Sequence, residues 1–328
     1  MKLSYLILAL AVLTGPSAAE KAPDVFRPDN LAAWCIVPFD AKKRGPEERA
    51  EMLKKLGITK LAYDYRAEHI PTFDAEVEAM RKRGIDFMAW WFPGTLDDEA
   101  KLILKVIERH KITPQLWVSG GGEPPKDAAG QTALVEAEAA RIRPIAQAAA
   151  PLGCRVALYN HGGWFGDPEN QIAIIDRLKR DGVSNIGIVY NFHHGHPHIG
   201  RFASLWAAMQ THVIAVNLNG MEVDGDRRGR KILHLSEGDR ELAMMRVIRD
   251  SGWQGPVGLI DHRDETDSED TLRRNWRGLQ WLRKELDAPG SGGPPPFPPG
   301  KTAVVDDGKF GKALGARGGG VVHPGSPS

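Results

Sequence analysis

The sequence has few cysteines and no excess of either charge. Cys35 and Cys154 are the only cysteines in 328 residues, and 43 Lys and Arg residues face 42 Asp and Glu residues. A chain with so little net charge has no basic field with which to hold nucleic acid or an anionic membrane. We therefore expect neither as a partner.

The apolar run at the N-terminus is too short to cross a bilayer. Lys2 precedes the apolar stretch from Tyr5 to Leu13, and Ser17-Ala18-Ala19 has the small residues of a cleavage site. This pattern predicts a signal peptide over residues 1–19, cut before Glu20. An uncleaved anchor is the alternative. We expect export to a periplasm or to the outside, with no membrane attachment after cleavage.

Strand and helix patterns alternate eight times between residues 31 and 287. The predicted strands cover residues 31–39, 59–65, 85–92, 114–118, 155–159, 186–190, 213–218 and 256–260. The predicted helices cover residues 46–56, 73–83, 97–110, 132–150, 169–180, 201–209, 240–250 and 268–286. Eight such units fit an α/β fold, a closed parallel (β/α)8 or TIM barrel over residues 20–287.

A doubly wound sheet is the alternative fold, but its usual phosphate turn is missing. Such a sheet places a Gly-rich turn after strand one, where this chain has Asp40-Ala41-Lys42-Lys43. The later Ser119-Gly120-Gly121-Gly122 lacks the Lys-Ser/Thr pair of a phosphate loop and indicates a tight loop. We expect no nucleotide cofactor.

The two cysteines lie in or beside the first and fifth predicted strands. In a barrel those strands are far apart, so we expect two buried thiols and no disulfide, although export would permit one.

The C-terminal region changes composition. Ala288 to Gly300 is nearly all Pro, Gly and Ser, which is typical of a linker. Residues 301–328 are too few for a domain and are expected to form a disordered tail. Within them, Gly308 to Leu314 resembles the first strand motif of laminin-G-like (concanavalin A-like) sandwiches. The alternative to a disordered tail is therefore the first part of a truncated domain of that kind.

The sixth predicted strand ends in a dense group of histidines. The apolar run Ile186 to Tyr190 is followed by Asn191-Phe192-His193-His194-Gly195-His196-Pro197-His198. Gly and Pro end the strand, so the imidazoles follow its carboxyl end, where parallel barrels carry their chemistry. Imidazole suits acid–base catalysis or metal binding near neutral pH. A solvated His-rich loop is the alternative.

Other strand ends add amide, aromatic and charged side chains. Those expected to contact substrate are Asp64, Arg66, Trp91, Asn160, Trp164, Asn191, His193, Asn217, Asn219 and His262. Amides donate to and accept from hydroxyl groups, and an indole offers a flat apolar face to a sugar ring. The set predicts a pocket for a small carbohydrate.

Residues 31–286 resemble the xylose isomerase-like barrel superfamily of sugar isomerases and epimerases. The resemblance rests on Tyr159-Asn160-His161-Gly162-Gly163, Asn191-Phe192-His193-His194, Asn217-Leu218-Asn219-Gly220 and Asp261. It implies a divalent metal that polarises a sugar carbonyl while side chains move a proton.

The chain departs from that family at most of the metal-ligand positions. Tyr159 replaces a glutamate, Asn191 an aspartate and Asn217 a histidine, whereas Asp261 keeps a carboxylate and His161 and His194 match two family histidines. A reorganised site of His161, His194 and Asp261 would hold one Zn²⁺ or Mn²⁺. Without a metal, the same three residues would act as acids and bases.

The resemblance therefore implies a sugar-active enzyme that transfers a proton beside a carbonyl, and the N-terminal pattern predicts its export. Isomerisation, epimerisation and β-elimination of an oxidised glycoside all begin in this way. We expect His161, His194 and Asp261 to be the catalytic residues. A catalytically silent sugar-binding barrel and a protein that sequesters metal with its histidines are the alternatives.

Overall fold

Eight parallel strands close into a barrel in the computed structural model, which describes residues 24–297. Each strand pairs with its sequence neighbours, and β1 pairs with β8 to complete the circle. The strands are β1 Leu31–Trp34, β2 Lys60–Tyr63, β3 Asp86–Phe92, β4 Gln115–Val118, β5 Val156–Tyr159, β6 Ile186–Asn191, β7 Val213–Leu218 and β8 Val257–Ile260. The predicted (β/α)8 barrel is confirmed.

Helices follow every strand and form the outer layer. They are α1 Pro46–Leu56, α2 Phe73–Lys82, α3 Asp98–His110, α4 Ala128–Ala149, α5 Gly163–Gly166, α6 Pro168–Arg180, α7 Phe202–Met209, α8 Glu241–Asp250 and α9 Ser268–Asp287. The bounds of α1 are those predicted, because Pro46 begins the helix and Gly57 ends it with φ +70°. Asp97 caps α3 by accepting a hydrogen bond from the Ala100 N–H.

The first strand is shorter than predicted. It was expected to run to residue 39, but it ends at Trp34 because Cys35 has φ +58°, in the left-handed region. An apolar run could not reveal this backbone turn. The turn places Cys35 at the carboxyl end of the barrel.

The interior of the barrel combines very small and very large side chains. Alanines on five strands line it, namely Ala32, Ala62, Ala89, Ala157 and Ala215. The space that they leave is filled by Trp34 and Trp117, whose ring centroids lie 4.1 Å apart. A second, larger core lies between the strands and the helices. The barrel is therefore packed solid below its carboxyl end.

Both cysteines are free and buried, as predicted. Cys35 belongs to the interior core and Cys154 to the outer core. Burial raises the pKa of Cys35 well above its usual value and that of Cys154 to about 11.

Residues 219–240, between β7 and α8, form a long connection at the carboxyl end of the barrel. We call them the β7–α8 loop. The Glu241 carboxylate holds it by accepting hydrogen bonds from the N–H groups of Met221 and Ser236, each 3.0 Å away. His196 and Asn219 both contact the Lys231 carbonyl oxygen, at 3.0 and 2.9 Å. These bonds fix where the loop lies over the strand ends.

The segment after α9 packs back on that helix. Trp281 donates its indole N–H to the Gly293 carbonyl, and Phe297 lies under the Arg274 guanidinium, 4.0 Å from its ring centroid. The first part of the predicted linker therefore has fixed contacts. The predicted signal peptide and the tail from residue 301 lie outside the described residues. Within residues 24–297, no helix is long and apolar enough for a membrane span.

Candidate functional site

Four histidines from three strand ends lie side by side at the carboxyl end of the barrel. The ring centroids of His161, after β5, and His194, after β6, are 4.5 Å apart. His193 lies 4.4 Å from His194 and 5.0 Å from His262, which follows β8. We call these four residues the imidazole cluster. It brings together His161, His193, His194 and His262, all predicted to belong to one site.

Three of the four imidazoles, those of His193, His194 and His262, are buried in surroundings that disfavour their charged form. Burial is the main cause that lowers the pKa of His193 and His194 well below the usual value, and neighbouring imidazoles add to it. Burial also lowers the pKa of His262 to about 3. A neutral imidazole presents one ring nitrogen as a proton acceptor at physiological pH.

The His193 ring has unsatisfied hydrogen-bonding capacity among the described residues. Its side chain is 2% exposed, and both Nδ1 and Nε2 are buried without a partner among the described residues. Buried polar groups in native proteins are nearly always satisfied. Such an unsatisfied side chain in a cluster at the barrel mouth is the arrangement expected where a ligand supplies the missing bond.

The four asparagines bond mainly to the protein itself. Asn191 accepts from Asn217 at 2.7 Å and donates to the Tyr159 hydroxyl at 2.6 Å, forming a polar ladder across β5, β6 and β7. Asn160 bonds to the Asn191 backbone, and Asn219 holds the β7–α8 loop. These amides position the site. Their predicted contact with sugar hydroxyls stays a prediction.

Two cationic side chains approach the imidazole cluster. Arg66 contacts the Asp64 carboxylate at 3.8 Å and lies over the Phe39 ring, which itself stacks on His262. Lys231, on the β7–α8 loop, adds a positive charge that helps to lower the pKa of His193 and His194. Sequence analysis did not identify Lys231, because nothing in the charged run from Asp224 to Lys231 indicates which side chain approaches the site.

Asp261 lies below the surface of the mouth and is 1% exposed. Its carboxyl accepts a 2.8 Å hydrogen bond from the Ser268 hydroxyl at the start of α9. Burial raises the pKa of Asp261 to about 8, against the opposing effect of Ser268. A carboxyl group with this pKa is largely protonated at neutral pH and can donate a hydrogen bond or a proton.

Aromatic side chains form the wall beside the imidazole cluster. Trp91 is half-buried and packs edge-on to Trp117 at 4.6 Å and to Tyr159 at 5.7 Å. Tyr159 lies 5.7 Å from both His161 and His194. Tyr159 was predicted only as a lost metal ligand. In the structure, its ring also forms part of the aromatic wall beside the imidazole cluster.

Trp164 lines a different cavity from the imidazole cluster. This cavity has a volume of about 490 Å³ and lies between the loop after β4 and the start of α6. The Trp164 indole N–H donates to the Gln131 side chain at 2.7 Å. We call this space the rim cavity.

The residues predicted to bind a metal do not form a fitting site. In the part of the chain that the structure describes, no group of three or more His, Cys, Asp or Glu side chains is arranged to hold a metal ion. His161 and His194 are adjacent, whereas the Asp261 carboxyl bonds to Ser268. A third strong ligand is missing because Tyr159, Asn191 and Asn217 occupy the positions where ligands were expected.

Comparison with known proteins shows the fold. No family model and no curated protein matches the sequence. Among solved structures, the 3-keto-D-glucoside 4-epimerase YcjR from E. coli aligns with TM-score 0.56 and 16% identity over 77% of this chain and 98% of its own. The IolI protein with a bound zinc atom aligns with TM-score 0.61 and 14% identity, over 78% of this chain and 98% of its own.

A xylose isomerase domain-containing protein from Salmonella typhimurium gives TM-score 0.57 and 12% identity, over 78% of this chain and 98% of its own. At such identities the likeness is one of fold. The resemblance to xylose isomerase-like barrels is confirmed at that level.

Proposed function

We propose that this chain is a sugar-active enzyme that moves a proton on the carbon next to a sugar carbonyl. The observation that carries the proposal is the pair His161 and His194, whose rings lie 4.5 Å apart beside Trp91 and Tyr159. A fold shared with a 3-keto-D-glucoside 4-epimerase supports it. A shared fold does not determine function, which depends on the side chains at the site.

The imidazole pair suits a reaction with one acceptor and one donor of protons. One neutral imidazole takes the proton from the carbon beside the ketone, and the bonding electrons move to the carbonyl oxygen to give an enolate. Return of a proton to the opposite face inverts that carbon. Departure of an alkoxide from the next carbon, with protonation of its oxygen by the imidazolium, completes an elimination instead.

Lys231, Arg66 and the protonated Asp261 are the groups that would stabilise the enolate oxygen. Cations and hydrogen-bond donors close to a developing oxyanion lower the barrier by several kcal/mol in a water-poor site, on the order of 3 kcal/mol each. Lys231 is the strongest candidate, since it approaches His193 and His194. No step in this scheme passes through a metal, because the side chains present do not form the predicted site.

The test is exchange of solvent deuterium into a keto-glycoside, followed by NMR. We expect exchange with the native chain and a loss of about 100-fold or more in His194→Ala and in His161→Ala, the usual contribution of a general acid or base. His212→Ala is the matched control, because His212 precedes β7 at the opposite end of the barrel. Full exchange in both cluster variants would overturn the assignment.

A catalytically silent carbohydrate-binding barrel is the second candidate. It is favoured by the neutral side chains of Tyr159, Asn191 and Asn217 at positions where the resemblance expects ligands. Sugar binding by calorimetry with no exchange across a panel of keto-sugars would support it. Elemental analysis of untagged protein in the same preparation measures any bound Zn²⁺ or Mn²⁺.

We also propose that the chain is exported. The proposal rests on the charged, apolar and small-residue pattern of residues 1–19, which lie outside the described residues. Expression in a Gram-negative host should give periplasmic protein that begins at Glu20 by mass spectrometry. Cytoplasmic protein that keeps residues 1–19 would contradict export.

A further inference from the structure

We propose that the rim cavity binds a second, uncharged sugar unit, so that the substrate is a glycoside of at least two units. This inference rests on the proposed function, and it names the substrate class. A volume of about 490 Å³ falls within the roughly 300–1,000 Å³ of small-molecule sites. The cavity is separate from the imidazole cluster and is not needed for the proton transfer itself.

Three side chains of the rim cavity form a closed hydrogen-bonded ring. The Trp164 indole donates to Gln131, the Gln131 amide donates to Asn170, and the Asn170 amide donates to the Trp164 carbonyl, each at 2.7 Å. The ring fixes both amides in place. Each side-chain NH₂ group uses only one of its two N–H bonds in this ring, so a second donor remains on each.

The lining of the rim cavity favours hydroxyl groups and disfavours anions. Glu123, Asp127 and Asp167 contribute three acidic side chains and Lys126 one cation, and Asp167 also contacts Arg201 at 3.3 Å. Asp127 also caps α4 by accepting from the Gly130 N–H at 2.8 Å. Carboxylates accept hydrogen bonds from sugar hydroxyls and repel phosphates and sugar acids. The lining therefore favours a neutral sugar over a sugar phosphate or a sugar acid.

The rim cavity lies next to the proposed reaction centre. Gly162 and Gly163 alone separate His161 from Trp164, so the two Cα atoms are at most about 11 Å apart. Gly163 has φ +62°, and a Cβ there would lie 3.0 Å from the Gly122 carbonyl oxygen. Trp164 donates its backbone N–H to that same oxygen at 2.8 Å. This tight junction joins the cavity wall to His161, so two linked sugar rings can occupy both places.

The test uses a variant that fills the rim cavity and leaves its hydrogen-bonded ring of side chains intact. Ala128 lines the cavity and is exposed, so Ala128→Trp places an indole in the space. Ala129→Trp is the matched control, since Ala129 is the next exposed residue of α4 and does not line the cavity. Asn170→Ala removes one fixed donor and serves as an independent variant.

Binding is measured by calorimetry with the full chain, using cellobiose, maltose and lactose against glucose and glucuronic acid. We expect at least one disaccharide to bind about tenfold more tightly than glucose, with this gain lost in Ala128→Trp, reduced in Asn170→Ala and kept in Ala129→Trp. Glucuronic acid should bind no more tightly than glucose. Equal affinity for all disaccharides and glucose, or an unchanged gain in Ala128→Trp, would overturn the proposal.

These sugars are not oxidised, so the measurement does not depend on turnover. If the native chain shows the disaccharide gain but no deuterium exchange into keto-glycosides, the rim cavity stands and the proposed reaction fails. If exchange occurs but the gain is absent, the reaction stands and the second subsite fails.

Discussion

His193 and His196 are three residues apart and almost equally buried, at 2% and 3% exposed, but their rings have different surroundings. Both ring nitrogens of His193 lack partners among the described residues. Those of His196 lie 2.9 and 3.0 Å from the carbonyl oxygens of Glu222 and Lys231. The contrast separates His193, which we propose contacts the ligand, from His196, which holds the β7–α8 loop.

Replacement of these two histidines by leucine should therefore change different properties, namely sugar affinity for His193 and stability for His196. His193→Leu removes no hydrogen bond, so we expect the free energy of unfolding to change by less than about 1 kcal/mol while sugar affinity falls. His196→Leu removes the imidazole that contacts the Glu222 and Lys231 carbonyl oxygens, each of which keeps one other partner, and should cost roughly 1–3 kcal/mol. Urea denaturation and calorimetry measure the two effects. A large stability loss in His193→Leu would show that its role is structural.

The buried carboxyl group of Asp261 should make stability depend on pH. Its folded pKa is raised to about 8 from an ordinary 3.8, so the protonated form is favoured in the folded chain. The contribution to stability is full below about pH 4 and is lost as the pH rises through 8, by on the order of a few kcal/mol. The main cause is burial, and the Ser268 hydroxyl acts against it.

Asp261→Asn removes this dependence. From pH 4 to pH 8.5, the melting temperature of the native chain should fall relative to that of the variant. Asp264→Asn is the control, because Asp264 is exposed and three residues away. Parallel pH profiles for native chain and Asp261→Asn would show that the carboxyl is ionised throughout.

At the scale of elements, Glu241 determines the position of the β7–α8 loop. Its two carboxylate oxygens accept from Met221 near one end of the loop and from Ser236 near the other. Burial raises the pKa of Glu241 to about 7, while these backbone bonds lower it. One side chain thus holds both ends of the segment that carries Lys231.

Glu241→Gln should loosen the β7–α8 loop without unfolding the barrel. The new NH₂ group faces an N–H donor, so one bond is lost at a cost of roughly 1–3 kcal/mol. Hydrogen exchange, read by mass spectrometry, should speed up at Met221 and Ser236. Glu78→Gln, at an exposed site on α2, is the control. Unchanged protection of both amides would rule out this role for Glu241.

The elements themselves were predictable because their signals are local. Pro46 and Gly57 mark the ends of α1, and alternation of apolar and amphipathic runs gives the order of strands and helices. The positive φ of Cys35 was not predictable, nor was the packing of Phe297 on α9, since both depend on distant residues. Within the site, residue types placed the imidazoles together. Whether an asparagine faces a ligand or another asparagine is decided by tertiary contacts such as Asn191 with Asn217.

At the scale of the whole molecule, one closed sheet separates two cores that hold one thiol each. Cys35 lies in the interior core and Cys154 in the outer core. The pairing of β1 with β8 leaves no open sheet edge, so the wall of the barrel opens only when strand pairing breaks. Because both cores pack on the same eight strands, unfolding of one core should destabilise the other.

The two thiols should therefore become reactive together. In the native chain we expect neither to react with a thiol reagent, since both are buried and their pKa values are raised. With increasing urea, labelling of Cys35→Ser and Cys154→Ser, each with one thiol left, should follow the loss of helical circular dichroism in a single transition. Reactivity of Cys154 at lower urea than that of Cys35 would show instead that the outer helices open while the barrel stays closed. The melting temperature should not change with reductant, because neither thiol is in a disulfide.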